Sequence, residues 1–270
     1  MSSTPAGIIE QATWIPNARN GGGTYDPENF GYPWRIVLHT IEGSASTGMI
    51  AAHPYCPHLW YDPPSRKLYQ TVPLSRSAFA LYQGNGHYTN KARALQVEIA
   101  GRAAETASWP LEWLDNITQD VVVPICQWVA QYNGASIDLA FAPEPGAIPG
   151  SASEYAPQRV SEGIWAVNSG LYSHRHVPQN DHWDTGGLDT PRIAAHARLI
   201  ISGLLGPATV GEDDLPDYLL QANDTRTVVA RYSEGAVKKL AYHELMYLVN
   251  DKKIPVVATD QANLNVILAP

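Results

Sequence analysis

The spacing of hydrophobic positions changes repeatedly along this chain, and each change marks an element. Arg35-Ile36-Val37-Leu38-His39 is a short apolar, β-branched run and predicts a first core strand that ends at His39. The residues before it are rich in Gly, Asn and Pro, with Asn20-Gly21-Gly22-Gly23 as a turn, and predict an irregular arm. Small residues with Met49 and Ile50 over Ser46–Ala52 suit a short helix. Leu59–Asp62 and Lys67–Val72 flank Pro63-Pro64-Ser65-Arg66, the pattern of a hairpin closed by a Pro-rich turn. Ala94–Gly101 predicts a further strand, in which alternation sets Glu98 on the face opposite Val97 and Ile99.

Val121, Val122, Ile125, Trp128, Val129 and Tyr132 recur at helical spacing, so Trp113–Tyr132 predicts a long amphipathic helix that ends at Asn133-Gly134. Pro124 should kink or split it, because proline has no N–H to give to the preceding turn. Ala140–Glu162, rich in Pro, Ala and Ser, reads as a surface excursion. Thr190-Pro191 is a good helix start for Ile193–Leu205. Small residues and then acids over Gly206–Asp214 form a linker pattern. Beyond it come a hairpin (Tyr218–Ala222, Thr227–Tyr232), a helix over Tyr242–Val249 and a strand at Pro255–Ala258. The chain thus divides into a large domain over 1–207, a linker over 208–215 and a small β-β-α-β module over 216–270.

Composition narrows the classes of function. A hydrophobic fraction of 44% with 16% charged residues is that of an ordinary globular protein, and no apolar run approaches the roughly 20 residues that span a bilayer. A formal charge of −8 argues against nucleic acid as a partner. Cys56 and Cys126 lack a Cys-x-x-Cys spacing, so neither a disulfide framework nor a thiolate metal knuckle is indicated. The N-terminus has neither the basic start nor the apolar core of a secretory signal, which predicts a protein made and held in a cytoplasm, or one that leaves it by a route other than a signal peptide. Nothing in the sequence sets an oligomeric state.

The densest chemistry lies in Ser173–Gly187, where His174, His176, His182, Asp181 and Asp184 share one run of little helical character. Imidazole and carboxylate together are the ligand types of zinc, whose catalytic sites use three protein ligands and leave one position open. A His on a rigid strand would complete the set, and His39 is the best placed. Glu98 is an ordinary exposed carboxylate if its face meets water, and a general base if it faces a cleft. His53, His58, His87, His196 and His243 read as structural.

In this order the pieces resemble the zinc-dependent N-acetylmuramoyl-L-alanine amidases of the amidase-2 type, a family that shares its fold with peptidoglycan recognition proteins and includes many bacteriophage endolysins. The likeness spans Trp14–Leu205. Ile36-Val37-Leu38-His39-Thr40 matches the family's first strand with its zinc His, and Leu95-Gln96-Val97-Glu98-Ile99 its Glu-bearing strand. Ser173–Pro178 and His182–Gly186 match its final motif. The resemblance implies an α/β fold with a central, mainly mixed β-sheet flanked by helices. Aligned without gaps to Asp184, it implies Zn²⁺ on His39, His174 and Asp184, with His176 standing where many members have Asp; the alternative register makes His176 the ligand in place of His174. Glu98 becomes the general base and His182 takes the place of a family Lys, as oxyanion stabiliser. The implied substrate is bacterial peptidoglycan, cut between N-acetylmuramic acid and L-alanine. The implied setting is a phage lysin waiting in the host cytoplasm before it reaches the wall, with the C-terminal module as a wall-binding unit. Pro57 precedes His58 where some phage members have a catalytic Tyr, so no Tyr role carries over. The rival readings are a zinc peptidase cutting within the stem peptide, although His-Glu-x-x-His is missing, and a muropeptide-binding protein without catalysis.

Overall fold

The sheet that organises this protein is built from the short β-branched runs, with β2 (Arg35–Thr40) buried along its whole length. The computed structural model describes residues 7–16, 23, 25, 31–81, 89–143, 158–180 and 182–202, and the backbone of four strands between 218 and 259. It forms two compact units, Met1–Ala194 and Ala195–Pro270. In the first unit, β1 (Thr13–Trp14), β2, β3 (Leu59–Asp62), β4 (Lys67–Gln70), β5 (Ala94–Ile99) and β6 (Gly170–Ser173) make one sheet of order β1-β4-β3-β5-β2-β6. Only the β3–β4 hairpin is antiparallel; the other four pairings are parallel. The fold is therefore α/β with a mixed sheet, and its central strands read as continuous apolar runs because both faces are covered.

Small helices flank the sheet. They are α1 (Thr47–Ala52), α2 (Leu111–Ile117), α3 (Val123–Asn133), α4 (Glu162–Val167) and α5 (Thr190–Ile201). Ser46 caps α1 by accepting from the Met49 N–H, and Ser161 caps α4 in the same way through Ile164. The long helix expected over Trp113–Tyr132 is split at Pro124. A π-helical turn over Thr118–Val122 joins α2 to α3, and the Val123 N–H bonds back to the Thr118 carbonyl. Pro124 has no N–H to give to the preceding turn, and it stands in the first turn of α3, just after the π turn. The turn meets the sheet through Asp120, which accepts from Tyr61 Oη at 2.6 Å and from both Nε and Nη2 of Arg66, at 2.9 and 2.6 Å.

Three expectations change. The arm is not wholly irregular, since Thr13–Trp14 adds an edge strand to β4. The buried Gln70 amide holds that arm, accepting from the Ile9 N–H (2.8 Å) and donating to the Gly7 carbonyl (2.6 Å). The hairpin's second strand stops at Gln70, where Thr71 and Val72 turn back to the His58 carbonyl. In the second unit the sheet has four strands, of order β10-β7-β8-β9, from β7 (Tyr218–Ala222), β8 (Val228–Arg231), β9 (Val237–Lys239) and β10 (Val256–Thr259). The β9 strand was not foreseen, because a three-residue edge ending in two lysines carries no hydrophobic alternation. The helix expected over Tyr242–Val249, the linker over Gly206–Asp214 and residues 144–157 of the surface excursion lie outside the described residues. Among the described residues no helix is long and apolar enough to cross a membrane.

Candidate metal centre

Strand register places the first two site residues. In the parallel β2–β5 pair His39 stands opposite Glu98, and in β2–β6 Leu38 stands opposite Ser173, so the chain leaves β6 beside His39 just as His174 begins. Residues in one row of a pleated sheet share a face. His39 and Glu98 therefore project together at the C-terminal ends of parallel strands, where α/β sheets open their binding crevices. A 3-10 turn over His174–His176 then bends the chain, which separates the two imidazoles of that turn. His174 meets His39, whereas His176 turns back and accepts from the Ser173 N–H through Nδ1 at 3.2 Å.

Asp184 arrives on the loop that follows. The Arg175 N–H donates to the Asp184 carbonyl at 2.8 Å, and Arg175 Nη1 donates to the Gly186 carbonyl. Thr185 Oγ1 bonds Ser173 Oγ at 3.0 Å, and Thr106 Oγ1 donates to the Thr185 carbonyl at 2.7 Å. Gly186 has φ +62°, and a Cβ there would lie 1.9 Å from the Ala103 carbonyl oxygen, so only glycine lets the loop press so closely on the 103–108 turn. The carboxylate itself is aimed by the Thr40 N–H, which donates to Oδ2 at 3.2 Å.

His39, His174 and Asp184 are all buried, and one ligand atom from each lies within 4.8 Å of the others. The two Nδ1 atoms are 3.0 Å apart, and His174 Nδ1 is 3.1 Å from Asp184 Oδ1. His39 Nδ1 is 3.8 Å from Asp184 Oδ2 and 4.0 Å from Glu98 Oε1. Two nitrogens and a carboxylate converging in this way suit a divalent cation of borderline softness. A further atom supports the fit: among the described residues, the buried Glu98 Oε2 has no hydrogen-bond partner. Such an atom carries a desolvation cost that a cation with its water would relieve.

The electrostatics follow from burial and from these contacts. Burial and then the neighbouring Asp184 push Glu98 up to about 8. Burial also drives the His39 imidazole well below its ordinary value, aided by His174 and opposed by Asp184. Burial works against the charged forms of His174 and Asp184 too, yet their mutual attraction outweighs it. His174 is raised, and Asp184 is held below the usual carboxylate range.

A cleft of about 580 Å³ opens over the group, with Ile41, Tyr55, Phe79, Leu81 and Trp183 in its walls. His182 stands at this cleft with 64% of its side chain exposed, its ring stacked on His174 (centroids 4.8 Å apart, 14° between planes) and its Nδ1 4.0 Å from Asp184 Oδ1. His39, Glu98, His174, His182 and Asp184 thus line one cleft, and His176 does not. Asp181 and His87 lie outside the described residues.

Of the histidines read as structural, His58 is buried and held on both nitrogens. Nδ1 accepts from the Gln96 N–H at 2.9 Å and Nε2 donates to the Arg76 carbonyl at 2.7 Å. His53 lines the cleft beside Tyr55. Sequence reasoning missed Glu42 and Asn180. Glu42, at φ 59°, accepts from Thr40 Oγ1 (2.8 Å) and from the Ala103 N–H (2.9 Å) at the cleft edge. Asn180 accepts from His174 Nε2. Neither sits in a periodic pattern or a motif, so no sequence signal marked them.

Neither a protein-family model nor a curated protein matches the chain. Among solved structures, the chain is similar to a selenomethionine derivative of AmpD, at TM-score 0.43 and 13% identity over 72% of this chain and 97% of that one. It is also similar to two Clostridium intestinale URNW proteins. One is the endolysin N-acetylmuramoyl-L-alanine amidase LysCS (TM-score 0.40, 14% identity, 71% and 98% covered). The other is the N-acetylmuramoyl-L-alanine amidase LysC (TM-score 0.37, 14% identity, 69% and 97% covered).

Proposed function

We propose that this protein is a zinc-dependent N-acetylmuramoyl-L-alanine amidase of phage endolysin type, which hydrolyses the amide between N-acetylmuramic acid and L-alanine in bacterial peptidoglycan. The observation that carries this reading is the buried His39–His174–Asp184 group with Glu98 beside it, at the floor of an open cleft. His39, His174 and Asp184 would hold the zinc. When bound, the metal polarises the scissile carbonyl and lowers the pKa of its water toward about 7.

Glu98 takes the proton of the attacking water and returns it to the leaving amine. Its Oε1 lies 4.0 Å from His39 Nδ1, close enough to share a water with the ligand group. An acid whose burial has moved it toward neutrality serves in both directions better than an ordinary carboxylate. His182, when protonated, stabilises the oxyanion from the cleft side, and its stacking on His174 sets the ring's position. The enzyme acts on the wall of the host in whose cytoplasm it is made, and the small C-terminal unit is its wall-binding part.

Digestion of purified peptidoglycans of several chemotypes, with mass spectrometry of the products, tests the reaction. Intact stem peptides with a free L-alanine amine are expected. New reducing sugars, or peptides cut between amino acids, would overturn the assignment, the second in favour of a peptidase. Undigested wall that nonetheless retains the protein would mark it as a binder.

A further inference from the structure

We propose that Asn180 is the positioning residue of His174, fixing its imidazole in the Nε2–H tautomer so that the Nδ1 lone pair faces His39 and Asp184. Asn180 is 1% exposed and sits six residues beyond His174, at the end of the turns that follow the 3-10 segment. Its Nδ2 donates to the Pro178 carbonyl at 3.1 Å. A carbonyl only accepts, so this contact decides which end of the amide is nitrogen. The other end, Oδ1, is then the atom 2.8 Å from His174 Nε2. An amide oxygen has no proton to give, so the proton between them belongs to Nε2. The opposite tautomer would set two lone pairs against each other in a buried site, at the cost of an unsatisfied polar group on each side.

The consequence reaches the ligand group. With its proton held at Nε2, the ring turns Nδ1 toward the ligand group, the atom 3.0 Å from His39 Nδ1 and 3.1 Å from Asp184 Oδ1; the Asp184 carboxylate favours a second proton there, whose place a bound cation would take. Asn180 is thereby the outer partner that a metal-binding imidazole requires for its orientation. The backbone holds it there: the Val177 N–H donates to the His174 carbonyl (3.0 Å) and the Asn180 N–H to the Val177 carbonyl (3.4 Å), so ligand and positioning residue belong to one folded turn.

The effect on metal affinity rests on the zinc reading above, whereas the tautomer does not, and the experiment separates them. In the metal-free wild-type protein, ¹⁵N-resolved NMR of His174 should show Nε2 protonated, whether or not Nδ1 also carries a proton toward Asp184; a neutral ring with its proton on Nδ1 and none on Nε2 overturns the proposal whether or not zinc binds. Asn180→Leu keeps the volume and removes the acceptor, so both tautomers should appear, and zinc affinity from chelator competition should fall about 10- to 100-fold. Asn180→Asp restores an acceptor and should bind zinc as the wild type does or more tightly. A folded Asn180→Leu with wild-type zinc affinity, or an Asn180→Asp as weak as Asn180→Leu, overturns it. Should Asn180→Leu fail to fold, the wild-type tautomer and Asn180→Asp still decide.

Discussion

Glu98 and Asp184 are largely enclosed carboxylates of one cleft, yet the contacts around them favour opposite protonation states. Asp184 takes a backbone N–H from Thr40 and faces His174, which favours its ionised form and suits a ligand. Glu98 has one oxygen buried without a partner among the described residues, and burial raises its pKa, which suits a group that exchanges a proton. Substitution should separate the two roles. Glu98→Gln is expected to keep zinc at one equivalent by elemental analysis while kcat falls by about 10²- to 10⁴-fold, the usual range for loss of a general base. Asp184→Ala and His39→Ala should lose both metal and activity. Full zinc occupancy in those two variants would show that the ligands lie elsewhere.

At the scale of elements, a histidine outside the chemistry gives the fold a pH limit. His58 precedes β3 and bridges the Gln96 N–H of β5 and the Arg76 carbonyl, so it must stay neutral in the folded state. Burial lowers its pKa from 6.5 to about 4. A histidine depressed on folding contributes stability that is fully present above the unfolded pKa and is lost as pH falls between the two values, here from 6.5 to about 4, by roughly 3 kcal/mol in all. Urea unfolding across that window should show a steeper loss for the wild type than for His58→Gln; equal slopes would mean that another group is responsible. The loop that carries Asp184 has its own weak point, because any side chain at 186 collides with the 103–108 turn. Gly186→Ala should lower the melting temperature and weaken zinc binding together, and loss of one without the other would uncouple the loop from the site. Most of these elements could be read from the sequence. β2, β5 and the β3–β4 hairpin are short β-branched or aromatic runs between turn residues, and His39, Glu98, His174 and Asp184 each stand at a strand end or in a recognisable motif. The π turn, β9 and the arm strand β1 could not be read, since each depends on what it packs against. Asn180 acts through the folding of one turn, which leaves no periodic trace.

For the whole molecule, charge is distributed unevenly. Residues 216–270 hold six acids and six bases, so the formal −8 belongs to the rest of the chain, which carries the cleft. Bacterial walls are rich in anionic polymers, and on the proposed function an acidic unit would approach such a surface against long-range repulsion. Salt shortens the reach of that repulsion, from about 30 Å at 0.01 M to about 8 Å at physiological ionic strength. A neutral C-terminal unit neither adds to the repulsion nor offsets it by attraction, so its hold on the wall would rest on short-range contacts that salt leaves largely unchanged. Lysis of intact walls should therefore speed up as salt rises from low to physiological levels. Cleavage of a small, uncharged muropeptide amide should stay flat over the same range, because no approach to a charged surface is involved. Truncation after residue 207 should preserve the small-substrate rate, weaken retention on walls, and leave a smaller salt-induced gain in wall lysis, since residues 1–207 keep 17 acids against 12 bases, a formal −5, once the linker acids Glu212, Asp213 and Asp214 are gone. A wall activity that falls with salt would instead place a basic wall-binding face somewhere on the chain, and if truncation also abolished that fall, the face would be on the C-terminal unit.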